Sequence, residues 1–196
     1  MEEANMTDEV KGYLRFGGMI AAGMIFMLGV MYLNSYTWEH VRWSETRFYM
    51  MFLMGATMAV VMLGFMLSMY RNTRINVAIF AVSVAVFALA LWLVRSQATV
   101  GDRSYMKAMI PHHSIAILTS ERAQIEDLRV RELANEIIRA QRREIKEMEW
   151  LIEDIAANGA ARTLDEAQAR PVPEFEGRLN SETRTPALGE RESDSD

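Results

Sequence analysis

Three long stretches of the chain carry no charged side chain, and they restrict its fold more than any other feature. They cover residues 16–33, 48–70 and 75–94. A helix rises about 1.5 Å per residue, so roughly 20 residues cross a hydrocarbon layer about 30 Å thick. Tyrosine and tryptophan side chains near the ends of these stretches are typical of a membrane–water interface. The sequence therefore predicts an all-α protein with three transmembrane helices.

The charges around these helices bear on topology. Residues 1–15 form a mostly acidic N-terminal tail, and no small-residue cleavage pattern follows the first apolar stretch, which predicts a retained anchor rather than a signal peptide. Three crossings place the loop 34–47 and everything after residue 95 on one side. The basic turn 71–74 favours an inside location for itself and the N-terminus. We therefore expect a protein of the plasma membrane or bacterial inner membrane, with its C-terminal domain on the outer side.

A helical hairpin is predicted over residues 96–157. Asp102 is a suitable N-cap for a helix that ends near residue 124, and Pro111 predicts a kink or a break within it. A turn near residue 126 leads into a second helix, residues 129–157, which Asn158-Gly159 would end.

The acidic segment 158–196 contains three prolines and few aliphatic residues. This composition predicts a disordered or adaptable tail, apart from a short helix at residues 164–170.

Helical periodicity gives each hairpin helix an inward face. The first helix directs six residues inward, while His112 lies on its flank and Ser114 points to water. The second helix carries two polar residues, Gln141 and Glu144, within its apolar stripe. The predicted inward residues are Met106, Met109, Ile110, His113, Ile117 and Ser120 on the first helix, and Val130, Leu133, Ala134, Ile137, Met148, Leu151, Ile152 and Ile155 on the second.

Folding the hairpin about residue 126 brings thioether and imidazole groups into one layer. His113 is predicted to lie opposite Gln141, and Met109 opposite Glu144. Thioethers with imidazole and without thiolate are donors suited to Cu(I), and by extension to Ag(I), more than to zinc, calcium or magnesium. The hypothesis is a copper site with His112 and Glu144 as alternative or supporting groups. Its predicted ligands are Met106, Met109, His113 and Met148.

Other functions fit the sequence less well. Methionine on an apolar helix face is commonly core, so the main alternative is a membrane-anchored interaction or sensing module in which this layer is only packing. A cuprous oxidase is disfavoured because one hairpin offers few imidazoles for Cu(II). The absence of cysteine excludes disulfides and zinc thiolates, no segment is basic enough for nucleic acid, and no catalytic arrangement is evident. His40, in the loop 34–47, is interpreted as structural.

The second apolar stretch carries methionines along one half of its helix, whereas the third has none. One interpretation is a row of thioethers that conducts Cu(I) to the hairpin. The other is adaptable packing between the first two helices, assisted by their glycines. The candidate residues of this stripe are Met50, Met54, Met58, Met62 and Met66.

Two motifs stand at a characteristic separation in residues 102–153: the run Met106-x-x-Met109-Ile-Pro-His-His and the later Gln141-x-x-Glu144-Ile-x-x-Met148. With these motifs, the segment resembles the domain-of-unknown-function 305 family. It implies a ferritin-like helical domain, with copper binding and copper tolerance outside the cytoplasm in several members. It also implies that Met109, His112, His113 and Met148 occupy metal-binding positions.

A single hairpin buries little surface, so we expect two copies to form a four-helix bundle, as a homodimer or part of a higher homo-oligomer. The predicted function is Cu(I) sequestration, tolerance or delivery at a membrane, with a copper donor or acceptor protein as a further partner. Thr119 departs from the family pattern, which commonly has methionine there.

Overall fold

A computed structural model of the chain describes residues 2–180, with the side chains of residues 8–180. This part is helical and contains no strand, which confirms the predicted all-α class. The chain divides into two compact units, one made of residues 1–33 and 44–100, the other of residues 34–43 and 101–196.

The first unit holds three helices, α1 (Glu2–Val30), α2 (Glu45–Phe65) and α3 (Thr73–Ser96). All three are long and apolar enough to cross a membrane, with candidate spans over Asp8–Val30, Glu45–Phe65 and Thr73–Ser96. The first helix therefore begins well before the predicted residue 16 and takes up most of the predicted N-terminal tail.

Helix α2 packs against both α1 and α3. Phe16, Leu63 and Tyr70 form a small apolar core in this unit. Beside it, the Tyr13 hydroxyl donates to Asn76 Oδ1 at 2.8 Å, and Asn76 Nδ2 donates to the Tyr70 carbonyl at 2.7 Å. These bonds satisfy a buried amide that would otherwise be costly in an apolar unit.

The second unit is built on α4 (Asp102–Arg122) and α5 (Leu128–Asn158). The helices are antiparallel: Met106, early in α4, packs in one cluster with Met148, late in α5, and Arg131, early in α5, donates to the Ser120 carbonyl at 2.9 Å. Asp127 caps α5 by accepting from the backbone N–H groups of the next turn. The predicted hairpin is therefore present, and α4 runs through Pro111 without a break.

The buried face of α5 differs in part from the predicted stripe. Ala134, Ile138 and Ile145 are buried, and so is Asn135, whereas Leu133 is 55% exposed. Val130 is exposed as well. The periodicity therefore places Ala134 and Met148 correctly but misses Ile138 and Ile145, so the buried face is rotated from the predicted stripe over the first half of α5 and into its middle.

Residues beyond 158 are more structured than their composition predicts. A short helix, α6 (Leu164–Ala169), begins with a capping box between Thr163 and Glu166, at the position of the predicted short helix. The following extended segment lies on α5, where Lys146 donates to the Glu176 carbonyl at 2.9 Å and Arg142 donates to the Arg178 carbonyl. Residues 181–196 of the predicted tail lie outside the described residues.

Candidate metal-binding site

His113 lies in the middle of α4 with a side chain that is only 14% exposed. Its Nδ1 atom is 3.2 Å from Glu144 Oε2, but this contact does not have hydrogen-bond geometry, and Nδ1 is buried without a hydrogen-bond partner among the described residues. Such atoms are rare in folded proteins because they are costly, and each one calls for a cause. A buried imidazole nitrogen without a hydrogen bond is one that a metal ion can use.

The surroundings favour the neutral form of this imidazole. Burial lowers the pKa of His113, and the nearby His112 lowers it further, while Glu144 acts in the opposite direction. Neutral imidazole is the form that binds metals.

The three methionines of the hypothesis lie in one cluster. Met106 and Met148 are buried among isoleucines of both helices, and Met109 is partly buried against them. Met109 and His113 are four residues apart and so occupy neighbouring turns on one face of α4. The hairpin thus gathers the predicted thioethers in one cluster, and His113 lies on the same face of α4 as Met109.

The other predicted polar groups are placed differently. His112 is exposed, with its ring centroid 6.0 Å from that of His113. Glu144, rather than the predicted Gln141, is the residue of α5 that meets His113. Gln141 is partly buried one turn earlier.

Residues 2–180 contain no group of three or more histidine, aspartate or glutamate side chains placed to hold a metal. A site made of these hard or borderline donors alone is therefore not formed within this part of one chain.

Ser114 is a residue of α4 that the sequence interpretation placed wrongly. Instead of pointing to water it is completely buried, and its Oγ accepts the Tyr36 N–H at 2.7 Å and lies 2.9 Å from His40 Nδ1. One signal could have found it, because Ile110, Ser114 and Ile117 recur at helical spacing along the buried face. Nothing in the loop sequence points to its partners Tyr36 and His40.

These contacts assign the loop residues 34–43 to the hairpin unit. The Tyr36 hydroxyl accepts from Arg142 at 3.4 Å and from Asn180 at 3.0 Å, and Arg142 also pairs with Glu121 at 2.5 Å. Burial lowers the pKa of His40, against the raising effect of Glu149 and then Glu39. His40 thus has the structural contacts that the sequence interpretation expected.

The methionines of α2 pack against glycines and aromatic residues. A methyl group added at Gly55 would collide with Met24 Sδ, and one added at Gly23 would lie 3.0 Å from Met58 Cε. Met62 and Met66 pack around the core of Phe16, Leu63 and Tyr70. Met54 is partly buried, whereas Met50 is 41% exposed. The predicted stripe therefore includes one interlocked methionine–glycine contact with α1.

Comparison with known proteins gives two matches and one negative result. The model of the family "Domain of unknown function (DUF305)" matches residues 93–188. The "Uncharacterized protein L153" of Acanthamoeba polyphaga mimivirus is 30% identical over 138 residues, which are 69% of this chain and 89% of the viral protein. No solved structure matches the chain significantly.

The similarity to the viral protein is longer than the family match, so it extends beyond the hairpin unit into the preceding part of the chain. The family match itself covers α4, α5, α6 and the extended segment that follows them. The chain therefore belongs to the DUF305 family.

Proposed function

We propose that the hairpin binds Cu(I) at a membrane, for sequestration, tolerance or delivery of the ion. The observation that carries this proposal is the buried Nδ1 atom of His113, which lacks a hydrogen bond and lies on the helix face that also presents Met109. Met106, Met109, His113 and Met148 would hold the ion, with His112 and Glu144 as alternative or supporting groups.

The chemistry of these donors supports a monovalent soft ion. Neutral imidazole and thioether sulfur bring no negative charge, so a singly charged ion has less charge to be compensated in a partly buried site than a divalent one. Bound there, the ion would satisfy the orphaned His113 nitrogen. Ag(I) would serve as a redox-inert mimic of Cu(I).

The buried methionines set a condition on binding. Met106 is 6% exposed and Met148 is 9% exposed, so both sulfurs lie within the apolar core. Methionine has three rotatable bonds and adapts to its surroundings, so its sulfur can turn toward an ion without movement of the helix backbone.

Association of two hairpins is part of the proposal. Leu133 and Ile137 occupy the same flank of α5 as Glu144 at 100° per residue, and Glu144 contacts His113. The exposed Leu133 therefore lies on the flank that carries the candidate ligands. A second copy, as a homodimer or within a larger homo-oligomer, would cover this flank and bring two sets of ligands together; sedimentation of the full chain in detergent as a folded monomer would contradict it.

The remaining parts of the proposal concern location and partners. The three apolar helices are compatible with a membrane protein, and we propose the plasma membrane or bacterial inner membrane with the hairpin on the outer side. A copper donor or acceptor protein would then load or unload the site. The proposed role is binding and not catalysis.

One observation favours a different function. Met106 and Met148 are buried among isoleucines in the way that ordinary core methionines are. The second candidate is therefore a membrane-anchored interaction or sensing module in which the histidine–methionine layer is structural.

Thermal unfolding with and without Cu(I) separates the two candidates. A ligand that binds only the native fold raises its stability by mass action. We expect Cu(I), supplied by a chelator buffer under anaerobic conditions, to raise the Tm of the full chain in detergent. The full chain is required because the loop 34–43 forms part of the hairpin unit.

The double variant Met109→Leu, His113→Ala should abolish this rise, and competition titration should detect the same loss. Met69→Leu, at an exposed position of the first unit, is the matched control and should keep it. No change in the Tm of the unsubstituted chain would favour the interaction module.

A further inference from the structure

The loop of residues 34–43 is bonded to α4 one residue beyond His113. Ser114 Oγ accepts the Tyr36 N–H at 2.7 Å and contacts His40 Nδ1 at 2.9 Å, and no part of Ser114 is exposed. A hydroxyl has one donor and two acceptor sites, so this single oxygen can satisfy both partners. The Tyr36 amide and the His40 ring thus depend on one atom of α4.

The same loop is also attached to α5. Arg142 donates to the Tyr36 hydroxyl at 3.4 Å, and Arg42 pairs with Glu149 at 3.4 Å. These two contacts are at the long end of polar interactions, and the pair of Arg42 and Glu149 is exposed, so each contributes little. The contacts of the fully buried Ser114 are shorter than either of these two.

Pro111 divides the candidate metal ligands on α4. Proline has no N–H, so the carbonyl four residues earlier, that of Lys107, loses its helical partner and the helix is easier to bend there. Met106 and Met109 precede Pro111, whereas His113 and Ser114 follow it. An ion held by Met109 and His113 would tie the two sides of this weak point together.

We propose that Ser114 is a positioning residue that couples occupancy of the metal site to docking of the loop 34–43. The inference depends on the proposed function. An ion that restrains bending of α4 at Pro111 also restrains Ser114, and the loop then docks more firmly. Because coupling between two sites is reciprocal, loss of the loop contact weakens metal binding by the same factor. Along the chain, this loop joins α1 to α2. Metal binding would therefore change the docking of the chain segment between two candidate membrane spans.

Hydrogen exchange of the full chain in detergent tests the coupling. Peptides that cover residues 34–43 are followed by mass spectrometry with and without Cu(I), while competition titration on the same samples measures Cu(I) affinity. We expect Cu(I) to slow exchange of the Tyr36 amide about fivefold or more, the lower end of allosteric coupling. In Ser114→Ala, loop exchange should be fast with or without Cu(I), and Cu(I) affinity should fall by a similar factor.

Two further variants secure the test. Ser120→Ala, at a partly buried serine of the same helix, is the matched control and should behave as the unsubstituted chain. His40→Ala leaves α4 unchanged and should reduce the effect of Cu(I) on the loop, which keeps the test decisive if Ser114→Ala does not fold. If Cu(I) binds without any change in loop exchange, the coupling is overturned and the proposed function stays intact. The same holds if Cu(I) slows loop exchange in Ser114→Ala as much as in the unsubstituted chain. Failure of the unsubstituted chain to bind Cu(I) overturns both.

Discussion

Methionine occupies two different surroundings in this protein. In the first unit, Met24 lies over Gly55 and Met58 lies close to Gly23, so the thioethers fill space between helices. In the second unit, Met106, Met109 and Met148 share a hairpin with a buried imidazole nitrogen that has no hydrogen bond. The residue type is the same, but the second setting also offers an imidazole nitrogen without a hydrogen-bond partner. The number of methionines is therefore a poor guide to a metal site, and their neighbours are a better one.

Replacement of methionine by leucine should change Cu(I) affinity strongly in the second unit and not in the first, and this is the largest difference that we expect. The triple variant of Met106, Met109 and Met148 to leucine keeps side-chain volume, so each change should cost less than about 1.5 kcal/mol of stability. It removes all three thioethers, and we expect Cu(I) affinity to fall at least about 100-fold, or about 2.7 kcal/mol at 1.36 kcal/mol per tenfold. Competition titration measures the affinity and circular dichroism checks the fold.

The corresponding variant of the first unit replaces Met54, Met58 and Met62 by leucine. If these side chains only pack, Cu(I) affinity and copper movement into sealed vesicles should both stay unchanged. Reduced copper movement would instead support a conducting row of thioethers, and would remove the distinction drawn between the two units.

The sequence predicts the helices well because their signals are local. Uncharged runs and helical periodicity depend on neighbouring residues, so α2, α3, α4 and α5 lie within a few residues of their predicted ranges. Contacts that join distant parts of the chain leave no such signal. Tyr36 and Ser114 are far apart in sequence, and neither stands out until the fold places them 2.7 Å apart.

For the candidate site, too, the sequence predicts which residues share a helix face but not which residues of the other helix they contact. Periodicity places Met106, Met109 and His113 on one inward side, and the structure has all three there. The pairing of His113 with Glu144 instead of Gln141 depends on how α4 and α5 slide along each other, by about one turn, and side-chain packing sets that offset. The extended segment after α6 was missed because its attachments are mainly backbone carbonyls, which every residue has.

A second prediction concerns the contact between Met24 and Gly55 in the first unit. Gly55→Val places side-chain atoms where Met24 Sδ lies, and overpacking of this kind costs about 1–3 kcal/mol. Gly64→Val is the matched control, since no side chain other than those of its chain neighbours lies within 4 Å of its Cβ position, and it reports the helix propensity of valine alone. The difference in unfolding free energy between the two variants, from denaturant titration in detergent, isolates the contact. In the Gly55→Val variant, the additional change Met24→Ala should restore part of the lost stability. Equal stability of the two valine variants would mean that the thioether moves away freely.

A third prediction concerns pH and the second unit. Burial lowers the pKa of His40 from its ordinary 6.5, so the unfolded chain binds a proton at a higher pH than the folded one. The contribution of neutral His40 to the unfolding free energy is complete above about pH 6.5 and is lost as pH falls through the lower pKa of the folded state. Thermal unfolding of the metal-free chain between pH 7.5 and 5 should show this loss, and His40→Gln should have a shallower pH dependence. If Tm depends on pH as steeply in His40→Gln as in the unsubstituted chain, another group titrates, and His113 is the next candidate.

The smallest effect is expected at Gly177, which offers a second comparison of glycine contacts. A methyl group at this position would collide with the Arg139 carbonyl oxygen, a backbone atom that cannot turn aside as Met24 can. The segment near residue 177 lies beyond the last helix, however, so it can leave α5 as a whole, and the loss of stability is limited to the free energy of its own docking. We expect Gly177→Ala to lower the unfolding free energy by less than about 1 kcal/mol, within the usual range for single substitutions. Limited proteolysis within residues 171–180 should accelerate several-fold, because a released extended chain fits a protease.

Gly101→Ala has open space at its Cβ position and should leave the cleavage rate unchanged. If Gly177→Ala resists cleavage as well as the unsubstituted chain, the carbonyl contacts of Lys146 and Arg142 hold the segment without a close approach of its backbone.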